Sequence, residues 1–79
     1  MSKLNEKDKL TADRIYSIRR HLGLSQSEIA LILDVKSQYI SALENGRRKP
    51  GSRTLYKLIA LCIENDLAVD ATFLRPDYI

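Results

Sequence analysis

The sequence predicts an all-α domain of five short helices, arranged around a closely spaced pair of helices near its centre. Apolar residues recur three or four positions apart in successive segments, which is the spacing of one buried helix face. Helix-capping residues and the glycines at positions 23 and 46 divide these segments from one another. With 79 residues, of which 44% are hydrophobic, the chain is long enough to form one domain with a small core.

The second predicted helix has the clearest start. Ser25 is followed three residues later by Glu28, which is the capping-box pattern in which each residue's side chain binds the other's backbone N–H. Leu24 and Ile29 flank this box as a hydrophobic staple. The residues expected on the buried face are Ile29, Ala30 and Leu33. The helical pattern breaks at residues 34–36, so we expect the helix to end there.

A third helix is expected to follow directly, from Ser37 to Asn45. Ile40 and Leu43 are three residues apart and are expected to face the core. Asn45 and Gly46 end the helix, because glycine readily adopts the left-handed conformation found at helix C-termini. The opposite face, expected to be in solvent, carries Ser37, Gln38, Ser41 and Ala42.

The composition of that outer face points to a function. It holds small or amide side chains instead of the Glu and Lys mixture of an ordinary solvated face. Serine and glutamine can reach base edges without filling a DNA groove, and the triplet Arg47-Arg48-Lys49 directly after the helix can contact phosphates. Because two helices joined by a three- or four-residue turn form a unit used for DNA binding, the sequence predicts a nucleic-acid interface here.

The charge distribution agrees with this prediction. Residues 1–35 carry six basic and five acidic side chains, residues 36–57 carry six and one, and residues 58–79 carry one and four. The positive charge is therefore concentrated on the third helix and the segment after it, while the C-terminal segment is acidic. A solvated basic loop is the alternative interpretation of Arg47-Arg48-Lys49, but its position after this helix pair favours phosphate binding.

This stretch contains several short motifs: Leu22-Gly23-Leu24-Ser25-Gln26, Ile29-Ala30, Ile40-Ser41, Leu43-Glu44-Asn45-Gly46 and Lys49-Pro50. Together they resemble the phage repressor and Cro family, also called the XRE-type helix-turn-helix proteins. The resemblance extends from about Arg14 to Leu74. It implies a compact, five-helix, lambda-repressor-like DNA-binding domain with a central helix-turn-helix, and dimers that pair through their C-terminal helices.

The resemblance also implies roles for individual side chains. The residues matching Arg19 and Glu44 form an ion pair in such proteins, and a partly shielded pair would be structural; the alternative is two ordinary surface charges. Gln26 matches a position that contacts phosphate, its alternative being a solvent-facing residue. Lys36 departs from the family, which often has Ser or Thr at this cap, so its side chain is expected to reach a phosphate instead.

The third helix is accordingly expected to enter the major groove of double-stranded DNA. The amide of Gln38 can make a bidentate contact with adenine. The residues expected to face bases are Ser37, Gln38, Ser41 and Ala42. Those expected at phosphates or at the groove edge are Gln26, Lys36, Tyr39, Arg47, Arg48 and Lys49. A homodimer would bind a palindromic operator with half-sites roughly 34 Å apart.

Caps and apolar stripes also divide the remainder of the chain. Residues 1–10 are expected to form a flexible N-terminal arm, residues 11–75 the DNA-binding domain and residues 76–79 a C-terminal tail. Thr11, Ser52 and Asp70 are expected to cap the first, fourth and fifth helices. The inward residues are expected to be Ile15, Ile18 and Leu22 in the first helix, and Leu55, Leu58, Ile59 and Cys62 in the fourth.

Some apolar residues exceed what this core needs. In the C-terminal segment they are candidates for a homodimer interface, the alternative being a tail that folds over its own core. These candidates are Leu61, Ile63, Leu67, Phe73 and Leu74. Leu31 and Ile32 fall on the outer side of the second helix, where they contact another protein, are covered by the N-terminal arm, or turn inward through a slight rotation of the helices. The sequence leaves these alternatives open.

An enzyme is the class that fits least. His21 is the single histidine and Cys62 the single cysteine, and the sequence has no glycine-rich phosphate loop and no metal-ligand spacing, so we expect no cofactor and no metal. A lone cysteine, the lack of a membrane-spanning apolar run and the polar N-terminus indicate a cytoplasmic protein, and the resemblance implies a bacterial or phage origin.

The function predicted from the sequence is a DNA-binding transcriptional regulator, with repression by blocking polymerase as the expected mode. A controller of a restriction-modification operon is a narrower version of the same function. The alternative is an antitoxin, which neutralises a toxin and regulates its own operon. Such proteins usually add a toxin-binding segment, and here the arm, Leu31 with Ile32, or the last few residues would have to serve.

Overall fold

A computed structural model describes residues 6–74 of the chain, without the side chains of residues 6–8 and 71–72. Over this range the regular secondary structure is helical. The helices are α1 (Glu6–His21), α2 (Gln26–Leu33), α3 (Ser37–Glu44), α4 (Ser52–Glu64) and a single further helical turn, α5 (Ala71–Leu74). The expected all-α class is confirmed over this range. In the same range, no helix is both long enough and apolar enough to span a membrane.

One hydrophobic core lies between the helices. Ile29 of α2, Ile40 of α3 and Leu55 of α4 are completely buried, so each predicted inward face is confirmed where the helices meet. Cys62 also lies in this core, where burial raises the pKa of its thiol and makes it a packing residue. The core consists of Ile15, Ile18, Ile29, Ala30, Leu33, Ile40, Leu43, Leu55, Leu58, Cys62 and Leu74.

Helix α1 begins earlier than the sequence suggested. It already includes Glu6, so the expected cap at Thr11 is wrong and residues 6–10 of the expected arm are helical. Thr11 is only 6% exposed and shares one buried stripe with Ala12 and Ile15. A threonine suits a cap, but it is also small enough for a packed helix face, and packing decides here. Residues 1–5 of the arm and the tail at 76–79 lie outside the described residues.

The start of α4 also differs from expectation by one residue. Gly51, with φ −70° and ψ 164°, occupies the N-cap position, so the expected cap at Ser52 is wrong. The preceding Pro50 is buried, and Gly51 itself has the extended conformation in which the chain enters the helix. Ser52 therefore becomes the first helical residue, and α4 starts without a hydrogen bond from a capping side chain.

The last turn closes the core beside α1. Asp70 caps it as expected, since its Oδ1 accepts a hydrogen bond from the backbone N–H of Phe73 at 2.9 Å. Arg14 holds the turn from α1, donating from Nη1 to the Phe73 carbonyl at 2.7 Å with its guanidinium 4.1 Å from the centre of the Phe73 ring. Leu74 is completely buried in the chain's own core, so its assignment as a dimer-interface candidate is wrong.

Candidate nucleic-acid interface

Helices α2 and α3 are joined by a tight turn at residues 34–36. Asp34 adopts the left-handed conformation, with φ 58° and ψ 47°, which aspartate tolerates better than most residues. The chain then re-enters close to α2, where the Val35 N–H donates to the Ala30 carbonyl at 2.9 Å. This turn fixes the angle between α2 and α3, and it leaves the outer side of α3 open to solvent.

The outer side of α3 carries the four residues expected to face bases. Gln38 is exposed, while Ser37, Ser41 and Ala42 are half-buried. Ile40 and Leu43 on the opposite side are buried in the core, with 0% and 1% of their surface exposed. The helix is therefore fixed along one side, and on its opposite side, the polar surface of the helix, Gln38 is the most exposed of these four residues.

The N-terminus of α3 has no side-chain cap. Lys36 occupies the N-cap position with extended backbone dihedrals, and its side chain is exposed and makes no capping hydrogen bond. The first backbone N–H groups of a helix carry partial positive charge and have no partner within the helix. The N-terminus of α3 and the Lys36 ammonium group consequently form a positive region at the edge of the polar surface.

The C-terminus of α3 is held by a buried ion pair. Arg19 of α1 donates from Nε to Glu44 Oε2 at 2.6 Å and from Nη2 to Oε1 at 3.0 Å, which is the bidentate geometry of strong pairs. The two side chains are 10% and 6% exposed. The hydrogen bond to Glu44 raises the pKa of Arg19, and burial opposes this to a smaller extent. The structural pair implied by the resemblance is thus present.

Two further hydrogen bonds complete this group and were not foreseen from the sequence. Arg19 donates from Nη1 to the Leu24 carbonyl at 2.8 Å, and Gln26 donates from Nε2 to Glu44 Oε1 at 3.1 Å. The Gln26 side chain is therefore half-buried and partly used inside the protein. Its amide nitrogen carries a second N–H, so phosphate contact by Gln26 stays a prediction.

Arg47, Arg48 and Lys49 lie on the surface directly after α3, and all three are exposed. We call residues 46–51, which join α3 to α4, the basic loop. Gly46 has a φ of 78°, which turns the chain out of the helix. The N–H groups of Arg47 and Arg48 both donate to the Ala42 carbonyl, at 2.9 and 3.3 Å, so the start of the loop is tied to α3.

The far end of the basic loop is tied to α3 as well, through Tyr39. The backbone N–H of Gly51 donates to the Tyr39 hydroxyl oxygen at 3.1 Å, and the Arg48 guanidinium lies 5.3 Å from the centre of the Tyr39 ring. The sequence did not predict this hydrogen bond, because no local pattern indicates a contact between residues that are 12 positions apart. Phosphate contact by Tyr39 stays a prediction, since its hydroxyl proton is not used in this bond.

The residues predicted to contact other proteins are spread over two different surfaces. On α2, Leu31 is 83% exposed and Ile32 is 49% exposed. At the C-terminal end, Ile63 and Phe73 are 65% and 39% exposed, while Leu61 and Leu67 are half-buried against the core. A shallow cleft of about 300 Å³ lies between α1 and the segment before α5, lined in part by Ile18, His21, Leu67, Val69 and Phe73.

Similarity to known proteins indicates the same class of protein as the fold does. The helix-turn-helix family model matches residues 15–62, more than half of the chain, and this chain belongs to that family. The resemblance to XRE-type proteins is thereby confirmed. Over 50 residues the chain is 42% identical to a protein of Sinorhizobium fredii described as an uncharacterized HTH-type transcriptional regulator. The match covers 63% of this chain and 65% of that relative, slightly less than two thirds of its length.

Proposed function

We propose that this protein is a sequence-specific regulator of transcription that binds double-stranded DNA with α3 in the major groove. The observation that carries the proposal is the exposed amide of Gln38 on a helix whose other side is buried, followed by three exposed cations. An amide can distinguish base pairs, and arginine and lysine side chains bind phosphates whatever the sequence. The similarity to an HTH-type transcriptional regulator supports the same function.

Gln38 is the residue on which sequence discrimination is expected to depend most. A glutamine amide can form two hydrogen bonds with adenine, which is worth roughly 1 to 3 kcal/mol of discrimination against another base. Ser37 and Ser41 are half-buried beside it and can add shorter contacts, while the methyl group of Ala42 suits a thymine methyl. Selection from a random duplex pool would identify the preferred site.

The Gln38→Ala variant then tests base contact directly. We expect it to lose affinity for the selected site by roughly tenfold or more while keeping its affinity for unrelated duplexes, because phosphate contacts are unchanged. Fluorescence anisotropy on both duplexes measures the two affinities. An equal loss on both would show that Gln38 does not contact a base.

Phosphate binding is assigned to the cations around this face. Lys36 lies at the uncapped N-terminus of α3, and Arg47, Arg48 and Lys49 follow its C-terminus, so positive charge flanks the polar surface at both ends. Removing Arg47 and Arg48 together should reduce the slope of log affinity against log salt by about two, because fewer counterions are released. An unchanged slope would exclude phosphate contact by this pair.

A homodimer is proposed to bind a palindromic operator through two copies of α3. The exposed side chains of Ile63 and Phe73 offer apolar surface at the C-terminal end, and Leu61 and Leu67 lie beside them, half-buried. The acidic charge of residues 58–79 would keep this end away from phosphates. Sedimentation at micromolar concentration should give a dimer that the Ile63→Glu variant disrupts, whereas a monomer for the unmodified protein would exclude this part of the proposal.

Repression is the proposed outcome, because a small DNA-binding domain on an operator blocks polymerase by occupying its site. Such a regulator would act in the cytoplasm. The test is a reporter gene placed behind the selected site, whose expression should fall when the protein is present and recover with Gln38→Ala. Increased expression would instead identify an activator.

Exposed apolar residues on α2 support a second candidate function, an antitoxin with a protein partner. Leu31 is 83% exposed next to Ile32, which is unusual for leucine on a helix and suits a protein contact. Under this alternative, an unrelated protein should co-purify in a fixed ratio, and replacing both residues with serine should release it while DNA affinity stays the same. Purification as a single species from the native host would count against it.

A further inference from the structure

Tyr39 belongs to α3 and lies where the polar surface of this helix meets the basic loop, with which its side chain is in contact. Its ring is half-buried against the core. Its hydroxyl oxygen accepts the Gly51 N–H at 3.1 Å, and the guanidinium of Arg48 lies 5.3 Å from the ring centre. That distance is within the range in which a cation is attracted to the face of an aromatic ring.

These contacts hold the basic loop at both ends. The loop starts with two backbone hydrogen bonds to the Ala42 carbonyl, and it ends with the bond from Gly51 to Tyr39. Ala42 and Tyr39 both belong to α3. The loop and its cations are therefore tied at both ends to the helix expected to contact bases.

Holding the loop in place matters for binding, since a charged side chain that is already ordered loses less entropy when it reaches its phosphate. An arginine side chain gives up substantial rotamer freedom on binding unless something orders it in the free protein. Among residues 6–74, the Tyr39 ring is the aromatic surface against which Arg48 packs.

We propose that Tyr39 is a positioning residue, which fixes Arg48 and the basic loop relative to α3 so that the cations of the loop are already in place to contact phosphates. The proposal rests on the proposed DNA-binding function. It assigns to the Tyr39 hydroxyl a role as acceptor for the Gly51 N–H, in addition to any contact that its proton makes with a phosphodiester oxygen.

We call the hydrogen bond from the Gly51 N–H to the Tyr39 hydroxyl the tether, and two variants remove it, one at its acceptor and one at its donor. Tyr39→Phe deletes the hydroxyl and keeps the ring. Gly51→Pro deletes the N–H, and the φ of −70° at Gly51 suits proline; because the proline ring takes the place of the amide hydrogen, the Tyr39 hydroxyl is also displaced from the loop. Each variant should weaken binding to every duplex by about fivefold, the size of one net hydrogen bond, while leaving discrimination between duplexes unchanged. Tyr16→Phe on α1 is the matched control and should bind normally.

The coupling to Arg48 is tested by a double-mutant cycle. Arg48→Ala should weaken binding clearly in the unmodified protein and much less in a Tyr39→Leu background, because Arg48 has lost there both the ring against which it packs and the hydrogen bond that holds the loop. Equal losses in the two backgrounds would show that Tyr39 does not position Arg48. If Tyr39→Phe weakens binding and Gly51→Pro does not, the hydroxyl contacts phosphate directly and the tether is excluded.

Amide hydrogen exchange of the free protein provides a reading that does not depend on DNA. Protection of the Gly51 N–H should fall in Tyr39→Phe and stay unchanged in Tyr16→Phe. Salt-independent or absent duplex binding by the unmodified protein would refute the proposed function while leaving this hydrogen bond intact. Unchanged protection together with normal DNA binding by Tyr39→Phe would refute the positioning role alone.

Discussion

Helices α2 and α3 have the same length, eight residues each, but they are stabilised in different ways. At the start of α2, Ser25 Oγ accepts the Glu28 N–H at 3.0 Å, and Glu28 Oε1 accepts the Ser25 N–H at 2.8 Å. At the start of α3, Lys36 makes no capping bond. What holds α3 is remote in sequence, namely the pair between Arg19 and Glu44 at its other end.

This difference separates a supporting helix from one with a surface available for binding. A side chain that caps a helix also covers the N–H groups that could bind an anion. In α2 the Glu28 N–H is satisfied by the Ser25 hydroxyl, which stabilises the helix. In α3 no side chain caps the helix; the equivalent N–H, that of Tyr39, donates to the Lys36 carbonyl at 3.0 Å, and contacts from α1 and the core stabilise the helix instead.

The largest effect is expected from breaking the remote support of α3. The Glu44→Ala variant leaves the Arg19 guanidinium buried without its carboxylate, which should reduce the free energy of unfolding by roughly 3 to 5 kcal/mol. Chemical denaturation measures this loss. Replacing both residues with apolar ones should cost less than Glu44→Ala alone, because no charge is then left unpaired.

An exposed ion pair supplies the control for that measurement. Arg53 and Asp34 lie 3.7 Å apart with side chains 79% and 78% exposed, so Arg53→Ala should change stability by less than about 1 kcal/mol. If Glu44→Ala were as mild as Arg53→Ala, the bidentate pair would not be what holds α3.

A smaller effect is expected from removing the local cap of α2. Ser25→Ala deletes the hydroxyl that accepts the Glu28 N–H and should reduce the free energy of unfolding by about 1 kcal/mol. Lys36→Ala, at the equivalent position of α3, has no capping bond to lose and should leave stability nearly unchanged. Thermal unfolding of both variants makes the comparison, and equal losses would contradict it.

Supplying α3 with the missing cap is expected to have a still smaller effect, and in the opposite direction. Lys36→Ser places a hydroxyl at the N-cap, where it can accept a backbone N–H and stabilise the fold by about 0.5 kcal/mol. The same change removes a positive charge at the N-terminus of α3 and places a side chain over it, so affinity for duplex DNA should fall. A variant that is more stable and also binds more tightly would refute the idea that this terminus is left open for phosphate.

The smallest expected effect is the pH dependence of the α2 cap. The N–H of Ser25 donates to the Glu28 carboxylate and lowers the pKa of Glu28. Because the pKa is lower in the folded state, this contribution is fully present above the ordinary glutamate pKa of about 4.3 and is lost as the pH falls through the folded value. The stability difference between unmodified protein and Glu28→Ala should therefore shrink below about pH 4.3, and a constant difference would contradict this.

Local patterns in the sequence predicted the local parts of this structure. The box of Ser25 and Glu28 spans four residues, and both of its hydrogen bonds are present. The buried positions Ile40 and Leu43 and the left-handed Gly46 follow from short-range rules in the same way. Arg19 and Glu44 are 25 positions apart in the sequence, and their pairing was predictable through the resemblance to a family rather than through spacing.

Expectations that depended on packing were less reliable. Thr11 has the chemistry of a cap but lies in the buried stripe of α1, and Leu74 looked like surplus apolar surface but completes the core. The contact from Gly51 to Tyr39 and the bond from Gln26 to Glu44 depend on how α3 sits against its neighbours. Such contacts join residues whose distance is set by the assembled fold, so no single stretch of sequence specifies them.

The left-handed glycine after α3 has a consequence for how much information one molecule can read. Because Gly46 ends the helix after eight residues, α3 is only about 12 Å long, roughly the width of a major groove. A helix of that length spans about four base pairs of DNA, and about 250 different sequences of four base pairs exist. A single copy would therefore match very many sites in any genome. A second copy bound at a fixed spacing would lengthen the recognised sequence and reduce the number of matching sites.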